Sequence, residues 1–358
     1  MTLRVIIYRL GVIPLLLLLC ILAACSQQDL DQEEQGMVSL KVLASPGTRT
    51  GEGGTATATL PPKETDIFDL SIFIFNSNGD VIGFTSQDFS DGKPTAVVVK
   101  TRKATGCSVY AIANAKTLNG TSPFDGVSTL SVFKTKYLSF ADAKAPNNAN
   151  CLLMMGVSSG FDTSSASSAS PATITLKRLA SRIDYTIAVN NDQTTGFPIV
   201  VDSYRLCNVP TSTLYQQSDF TSPSMPSSPT FADLDKVSTS ISSVAAPTSA
   251  GTYYVYANNG TFKDNGTSKE TYLDIQAHSE VRGADGTKYT VWKSNFQVKM
   301  PDGKVKPNYH YKIDIVIKGS VTGKDGGVIT TYNAYPYFSG STLNPWQSET
   351  TDRNLDLQ

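Results

Sequence analysis

Three short stretches carry residue types at spacings suited to covalent chemistry. Leu22-Ala23-Ala24-Cys25 sets a thiol directly behind small residues at the end of an apolar run that begins at Val12. That is the lipobox pattern of bacterial lipoproteins, with Cys25 as the acylated residue. Thr48-Arg49-Thr50, in a Pro/Gly context, reads as a protease site. Gly156-Val157-Ser158-Ser159-Gly160 fits the G-x-S-x-G string, in which a strained strand-to-helix turn lifts a serine above a parallel sheet. A base for such a serine would have to be His278 or His310, since the chain has two histidines. The residues after Gly160 are Ser-rich loop rather than helix, and His310 alternates with core residues on the wet face of a strand. The string therefore reads as a coincidence, and Ser158 as an ordinary serine.

Other chemistry has even less to stand on. Two distant histidines and no dense acid cluster supply no metal ligand set. Asn76 to Asp80 lacks the closing glutamate of a calcium loop and reads as a turn. Asn-x-Thr triplets at Asn119, Asn259 and Asn265 read as turn chemistry. No catalytic residue, cofactor or metal is expected.

The elements that would position the first two stretches follow from periodicity. Arg4 and Arg9 ahead of the apolar run make residues 1–24 a secretory leader, with Pro14 interrupting a run too short to be a retained membrane span. Several acyl chains on Cys25 would anchor stably, each buried methylene adding roughly 0.8 kcal/mol. An acidic spacer with Asp29, Asp31, Glu33 and Glu34 follows. Then comes a short alternating strand, with Val38, Leu40 and Val42 as its apolar positions.

Composition sets the class of the remainder. With 358 residues, 40% hydrophobic, 9% aromatic and 17% charged, the chain is folded, β-leaning and long enough for about two domains. The formal net charge is -1. Lysines and arginines are scattered singly between acids, so no basic patch points to nucleic acid. Of five cysteines, Cys20 and Cys25 belong to the leader region. Cys107, Cys151 and Cys207 form neither a disulfide framework nor a C-x-x-C pair and read as small core residues.

Downstream the pattern is that of strands. Phe68, Leu70, Ile72 and Ile74 alternate against Phe73 and Phe75, a strand buried on both faces that ends at a predicted Asn78-Gly79 two-residue turn. Val97–Val99 and Val109–Asn114 are further strands. Leu130–Phe140 has the spacing of one modest helix. Between Leu176 and Leu179 the apolar parity switches, which requires a bulge or a crossing between sheets and sets a predicted domain boundary near Arg178. Tyr309, Tyr311, Ile313, Ile315 and Ile317 alternate cleanly with polar residues, the signature of an antiparallel sheet with one wet face. Strands at this spacing with Gly/Pro/Ser turns indicate β-sandwiches.

In order and spacing, these stretches resemble fimbrillins, the subunits of Bacteroidales type V pili. The resemblance covers the lipobox, Arg49, Asp69–Phe75, Val109–Ala115, Leu176–Ile183, Tyr253–Asn258, Asn308–Ile313 and Trp346. It implies an all-β chain of two transthyretin-like antiparallel β-sandwich domains behind a lipoprotein signal peptide. The divisions are 1–24 for the signal peptide, 25–49 for a propeptide with a removable first strand, 50–178 for the N-terminal domain and 179–358 for the C-terminal domain. It further implies a lipid-anchored outer-membrane precursor, cleavage between Arg49 and Thr50, and an extracellular fimbrium serving adhesion. The partners it implies are other pilus subunits, an arginine-specific protease and a surface receptor. Val38, Leu40 and Val42 would be the plugs of the strand released. The groove they leave would be filled by a neighbour's C-terminal segment.

The end of this chain departs from that pattern. After Trp346 it is largely polar, with Leu355 and Leu357 as apolar positions; Tyr335, Tyr337 and Leu343 are alternatives for a donor. A tip or anchor subunit of the same pilus, or a surface glycan-binding lipoprotein, is the alternative role.

Overall fold

A computed structural model describes residues 35–42, 48–50, 57–59, 62–94, 96–140, 145–164, 172–190, 198–242, 248–282, 285–318, 328–329 and 338–340. The leader and Cys25 lie outside the described residues. In chain order the first strands are β1 (Gln35–Val42), β2 (Thr48–Thr50), β3 (Thr57–Thr59), β4 (Asp69–Phe75), β5 (Val81–Asp88), β6 (Val97–Arg102) and β7 (Cys107–Ala113). Helices α1 (Ala115–Asn119) and α2 (Leu130–Thr135) precede β8 (Tyr137–Ser139) and α3 (Ala145–Asn148). They are followed by β9 (Met154–Phe161), β10 (Ala172–Ile174) and β11 (Lys177–Arg178).

Seven of these strands join β1 in an eight-stranded sheet of order β10-β1-β6-β5-β4-β7-β9-β11. Its two edges, β10 and β11, are separated in the chain by Thr175 and Leu176 alone, so the sheet must roll until its edges meet. Gly156 on β9 permits the closure, because a Cβ there would sit 2.5 Å from the Thr175 carbonyl oxygen. The alternation in β4 then sorts its side chains into two cores. Leu70, Ile72 and Ile74 face the inside of the roll with Val97, Val99, Val109 and Ile174. Phe73 and Phe75 face outward into an aromatic layer with Tyr110, Phe124 and Phe133. Phe133 lies 5.2 Å, centroid to centroid, from both Phe73 and Tyr110.

The chain leaves this sheet at Arg178 and enters another at Ala180, where the parity switch requires a crossing. The second half comprises β12 (Ala180–Asn190), β13 (Ile199–Cys207), β14 (Val209–Pro210), β15 (Ser212–Leu214), β16 (Phe231–Ala232) and β17 (Val237–Ile241). It continues with β18 (Thr248–Tyr256), β19 (Lys263–Asp264), β20 (Thr267–Ser268), β21 (Tyr272–Arg282), β22 (Lys288–Lys299), β23 (His310–Lys318), β24 (Val328–Ile329) and β25 (Phe338–Gly340). Sheets β18-β12-β23-β24 and β17-β13-β21-β22 enclose one apolar core. Ile183, Ile187, Ile313 and Ile315 line one side of it, and Val201, Ile275 and Val298 the other. This is a β-sandwich in the sense of two sheets sharing one interior. Tyr254 and Tyr256 point out of the second half into the aromatic layer of the first, joining the two halves. The fold class is all-β, as the sequence pattern requires.

Four local expectations are corrected. Helix α2 stops at Thr135, and Tyr137–Ser139 is strand β8, paired with β15, so the helical spacing out to Phe140 belongs to two elements. The Asn78-Gly79 turn is not a two-residue hairpin. Asn76 Oδ1 accepts the backbone N–H groups of Asn78 and Asp80, and of the two turn residues only Gly79 has positive φ. Strand β23 pairs parallel with β12, because alternation reports exposure of the faces and not strand direction. His310 is 2% exposed rather than on a wet face. Of the Asn-x-Thr positions, Asn119 ends helix α1, while Asn265 and Gly266 both adopt positive φ between β19 and β20, a favoured hairpin turn. Cys107, Cys151 and Cys207 are free and buried. Burial raises the Cys151 thiol to about 12, which keeps it protonated and inert.

Candidate functional site

The N-terminal strand is an interior member of the first sheet. β1 pairs antiparallel with β6, Val38 opposite Val99 and Leu40 opposite Val97, and parallel with β10, Val42 opposite Ile174. Residues directly opposite on neighbouring strands share a face of the pleat. Val97, Val99 and Ile174 are each at most 2% exposed and belong to the interior of the roll. The three expected plug positions therefore stand in register with the core of the first half. Removing β1 would open a trough between β6 and β10, flanked by two rows of backbone donors and acceptors.

Arg49 and Thr50 lie in β2, just beyond that strand in the chain. β2 pairs with β3 and with β25, far along the sequence. Sequence reasoning identified the arginine but carried no signal for its β25 neighbour, since a three-residue strand leaves no period to read.

Ser158 lies in the middle of β9, paired with Val109 of β7. The strand runs on through Gly160 to Phe161, so the strand-to-helix turn of a nucleophile elbow is not formed. His278 Nδ1 lies 2.7 Å from Asp202 Oδ1 on the far sandwich, in the second half of the chain.

A buried polar cluster that sequence reasoning missed joins the two halves. Glu64, fully buried in a short 3-10 turn ahead of β4, accepts a hydrogen bond from the Tyr254 hydroxyl at 2.7 Å and one from Arg182 Nη1 at 3.0 Å. The Arg178 Nε–H donates to the Glu64 backbone carbonyl at 2.9 Å, and the Arg178 backbone N–H to Asn308 Oδ1 at 3.1 Å. Burial pulls the Arg178 guanidinium down to about 10, which leaves it charged at neutral pH. Arg182 Nε also contacts Asp184, whose other oxygen lies 2.7 Å from His310 Nε2. Charged hydrogen bonds of this kind are stronger than neutral ones, and here they cross from one half to the other.

Burial alone would raise the Asp184 carboxyl. Hydrogen bonds and charge from His310 and Arg182 outweigh it and hold the group well below the ordinary value of 3.8. A carboxylate depressed on folding contributes stability above its unfolded value, and that contribution is lost as pH falls. We therefore expect the melting temperature to decline as pH drops below about 4. Asp184→Asn should be less stable at neutral pH but show a flatter acid limb. Equal acid slopes in the two proteins, measured by calorimetry, would remove Asp184 as the cause.

Residues 37–195, from within β1 to beyond the end of β12, match the family model described as major fimbrial subunit protein (FimA). That stretch is similar to fimbrial subunits. Its fold is similar to that of a candidate cell adhesion protein from Bacteroides eggerthii, with TM-score 0.54 and 17% identity over 89% of this chain and 95% of the other. A second candidate cell adhesion protein, from Parabacteroides distasonis, gives TM-score 0.52 and 19% identity over 80% and 88%. A fimbrillin from Porphyromonas gingivalis gives TM-score 0.47 and 14% identity over 80% and 91%. No curated protein matches the chain. The family match and the strand order bear on the same region, since the stretch matched to fimbrial subunits contains the whole of β4 through β12 and most of β1.

Proposed function

We propose that the chain is a structural subunit of a type V pilus, exported as a lipoprotein on Cys25, cleaved between Arg49 and Thr50, and polymerised by strand exchange. The observation that carries this reading is the place of β1: it is interior to the first sheet, yet it is the first of the described strands, so one cut at Arg49 separates it from the rest of the sheet. The strand that replaces it gains main-chain hydrogen bonds from β6 and β10 and presents alternate side chains to the interior. Donor and acceptor surfaces differ, so the contact is heterologous and propagates as an open filament on the cell surface. In the processed subunit, residues 50–178 and 179–358 act as its two domains. In this reading the chain is the substrate of processing and the building block of the filament, and no catalytic role is assigned to it.

The test compares a precursor beginning at Ser26 with a protein beginning at Thr50, at equal concentration, by light scattering and electron microscopy. The shorter protein should assemble into ladders and filaments that a peptide spanning Gln35–Val42 suppresses, while the precursor stays monomeric. If the shorter protein stays monomeric, or the peptide leaves assembly untouched, strand exchange at this groove is wrong. The polar C-terminal stretch after Trp346 favours a tip or anchor subunit as the second reading. An anchor would retain its lipid and β1, so surface-isolated protein would begin at Cys25 rather than Thr50.

A further inference from the structure

β2 is the middle strand of a three-stranded sheet of order β25-β2-β3. Its central residue, Arg49, is opposite Ala58 on one side and Ser339 on the other. A protease that grips an extended segment does so by main-chain pairing along an edge, and a strand bordered on both sides offers no edge. The two neighbours differ in how they are held. β3 begins at Thr57 and forms a local pair with β2, so it stays close to Arg49 whatever the rest of the chain does. β25 reaches β2 from the other end of the chain and holds it through three register pairs, Thr48–Gly340, Arg49–Ser339 and Thr50–Phe338. A loop that long costs more entropy to close, so this border is the one more readily opened.

We infer that Phe338–Gly340 is a cover over the processing segment, and that the state of the C-terminal segment decides when Arg49 is cut. This rests on the processing reading above. While β25 is paired, the Arg49–Thr50 amide is shielded. When the C-terminal segment is drawn away, by engagement with a second copy of this chain, the β2 edge opens to a protease. Water then adds across the amide, leaving a carboxylate on Arg49 and a free amine on Thr50. Strand release would follow engagement of the C-terminal segment, so that a subunit without a neighbour keeps β1 in place.

The test is limited proteolysis of the full-length precursor with trypsin, scored by the appearance of fragments beginning at Thr50. It is set beside Ser339→Pro, which places a proline at the centre of β25, and a chain ending at Tyr337. Cleavage limited by opening tracks the open population, so both variants should yield the Thr50 fragment at least about tenfold faster than the parent. Equal rates in parent and variants would overturn the cover while leaving processing intact. Variants cut elsewhere but never at Arg49 would overturn the cover and the processing reading together.

Discussion

Glu64→Ala should lose about 3 kcal/mol or more of unfolding free energy, the largest effect expected of any single polar substitution in the chain. Glu64 is fully buried, and its carboxylate accepts hydrogen bonds from the Tyr254 hydroxyl and Arg182. Deleting it removes a carboxylate that crosses to β12 and β18 from the first half. Arg178 and Arg182 then remain at the junction with less negative charge between them, and uncompensated buried charge is what makes such deletions costly. Glu64→Gln keeps an acceptor for Tyr254 while removing the charge and should fall between the two. The measurement is chemical denaturation followed by tyrosine absorbance and far-ultraviolet dichroism together. In the parent the two curves should coincide; in Glu64→Ala they should separate as the halves uncouple. A loss under about 1 kcal/mol with coincident curves would mean that the aromatic layer and the β8–β15 pairing join the halves without help from Glu64.

Gly156→Ala should destabilise by about 3 kcal/mol, at the upper end of what overpacking a core produces. The added Cβ would stand 2.5 Å from the Thr175 carbonyl oxygen, 2.6 Å from Ile174 Cγ2 and 3.2 Å from Leu176 Cδ2. The first contact is with backbone, which cannot rotate aside, and it lies where the rolled sheet closes. Ser158→Ala, on the same strand and half-buried, is the control and should change stability by no more than about 0.5 kcal/mol. It should also leave any hydrolytic activity unchanged. If Gly156→Ala melts within a degree or two of the parent, the closure between β9 and the Thr175 segment is looser than drawn.

The contrast between those two residues shows what the sequence could reveal. The string around Ser158 drew attention as chemistry, yet its meaning is in Gly156, whose missing side chain admits another piece of backbone. Nothing local to residues 154–161 announces a neighbour that comes eighteen residues later (Gly156 to Ile174). The strand at Leu70–Phe75 was legible as a short apolar run buried on both faces, that at Tyr309–Ile317 because apolar residues recur with period two, and the Arg178 crossing because such a period breaks. Direction and partner were not legible, since a strand has the same pattern whether its neighbour is parallel or antiparallel. The Asn-bearing stretches that carry the fimbrillin resemblance gain a physical reason only in the fold. Asn114 adopts left-handed backbone and bonds to Phe68, Asp66 and Leu152, while Asn308 receives the Arg178 backbone N–H. Short polar side chains that tolerate positive φ can staple loops in this way, but their partners are more than thirty residues away (Asn114 to Leu152). For the same reason the Glu64 cluster was invisible: its members are scattered from residue 64 to residue 310.

The register around β6 has one more consequence. β6 pairs with β1 along six residues, Val97 to Arg102, but meets β5 in register at Gly83 and Thr101. The first strand is thus held by β6 on one side and by β10 on the other, whereas β6 has one register pair to β5. Departure of β1 would leave β6 a compliant lip rather than a rigid slot, and its amides should exchange with deuterium much faster than those of β4 or β7. A strand arriving at such a lip can be caught by its first few residues and then zip in stepwise, with β6 closing behind it. On that view the speed of subunit addition is set by the initial foothold, and the permanence of the joint by its full length.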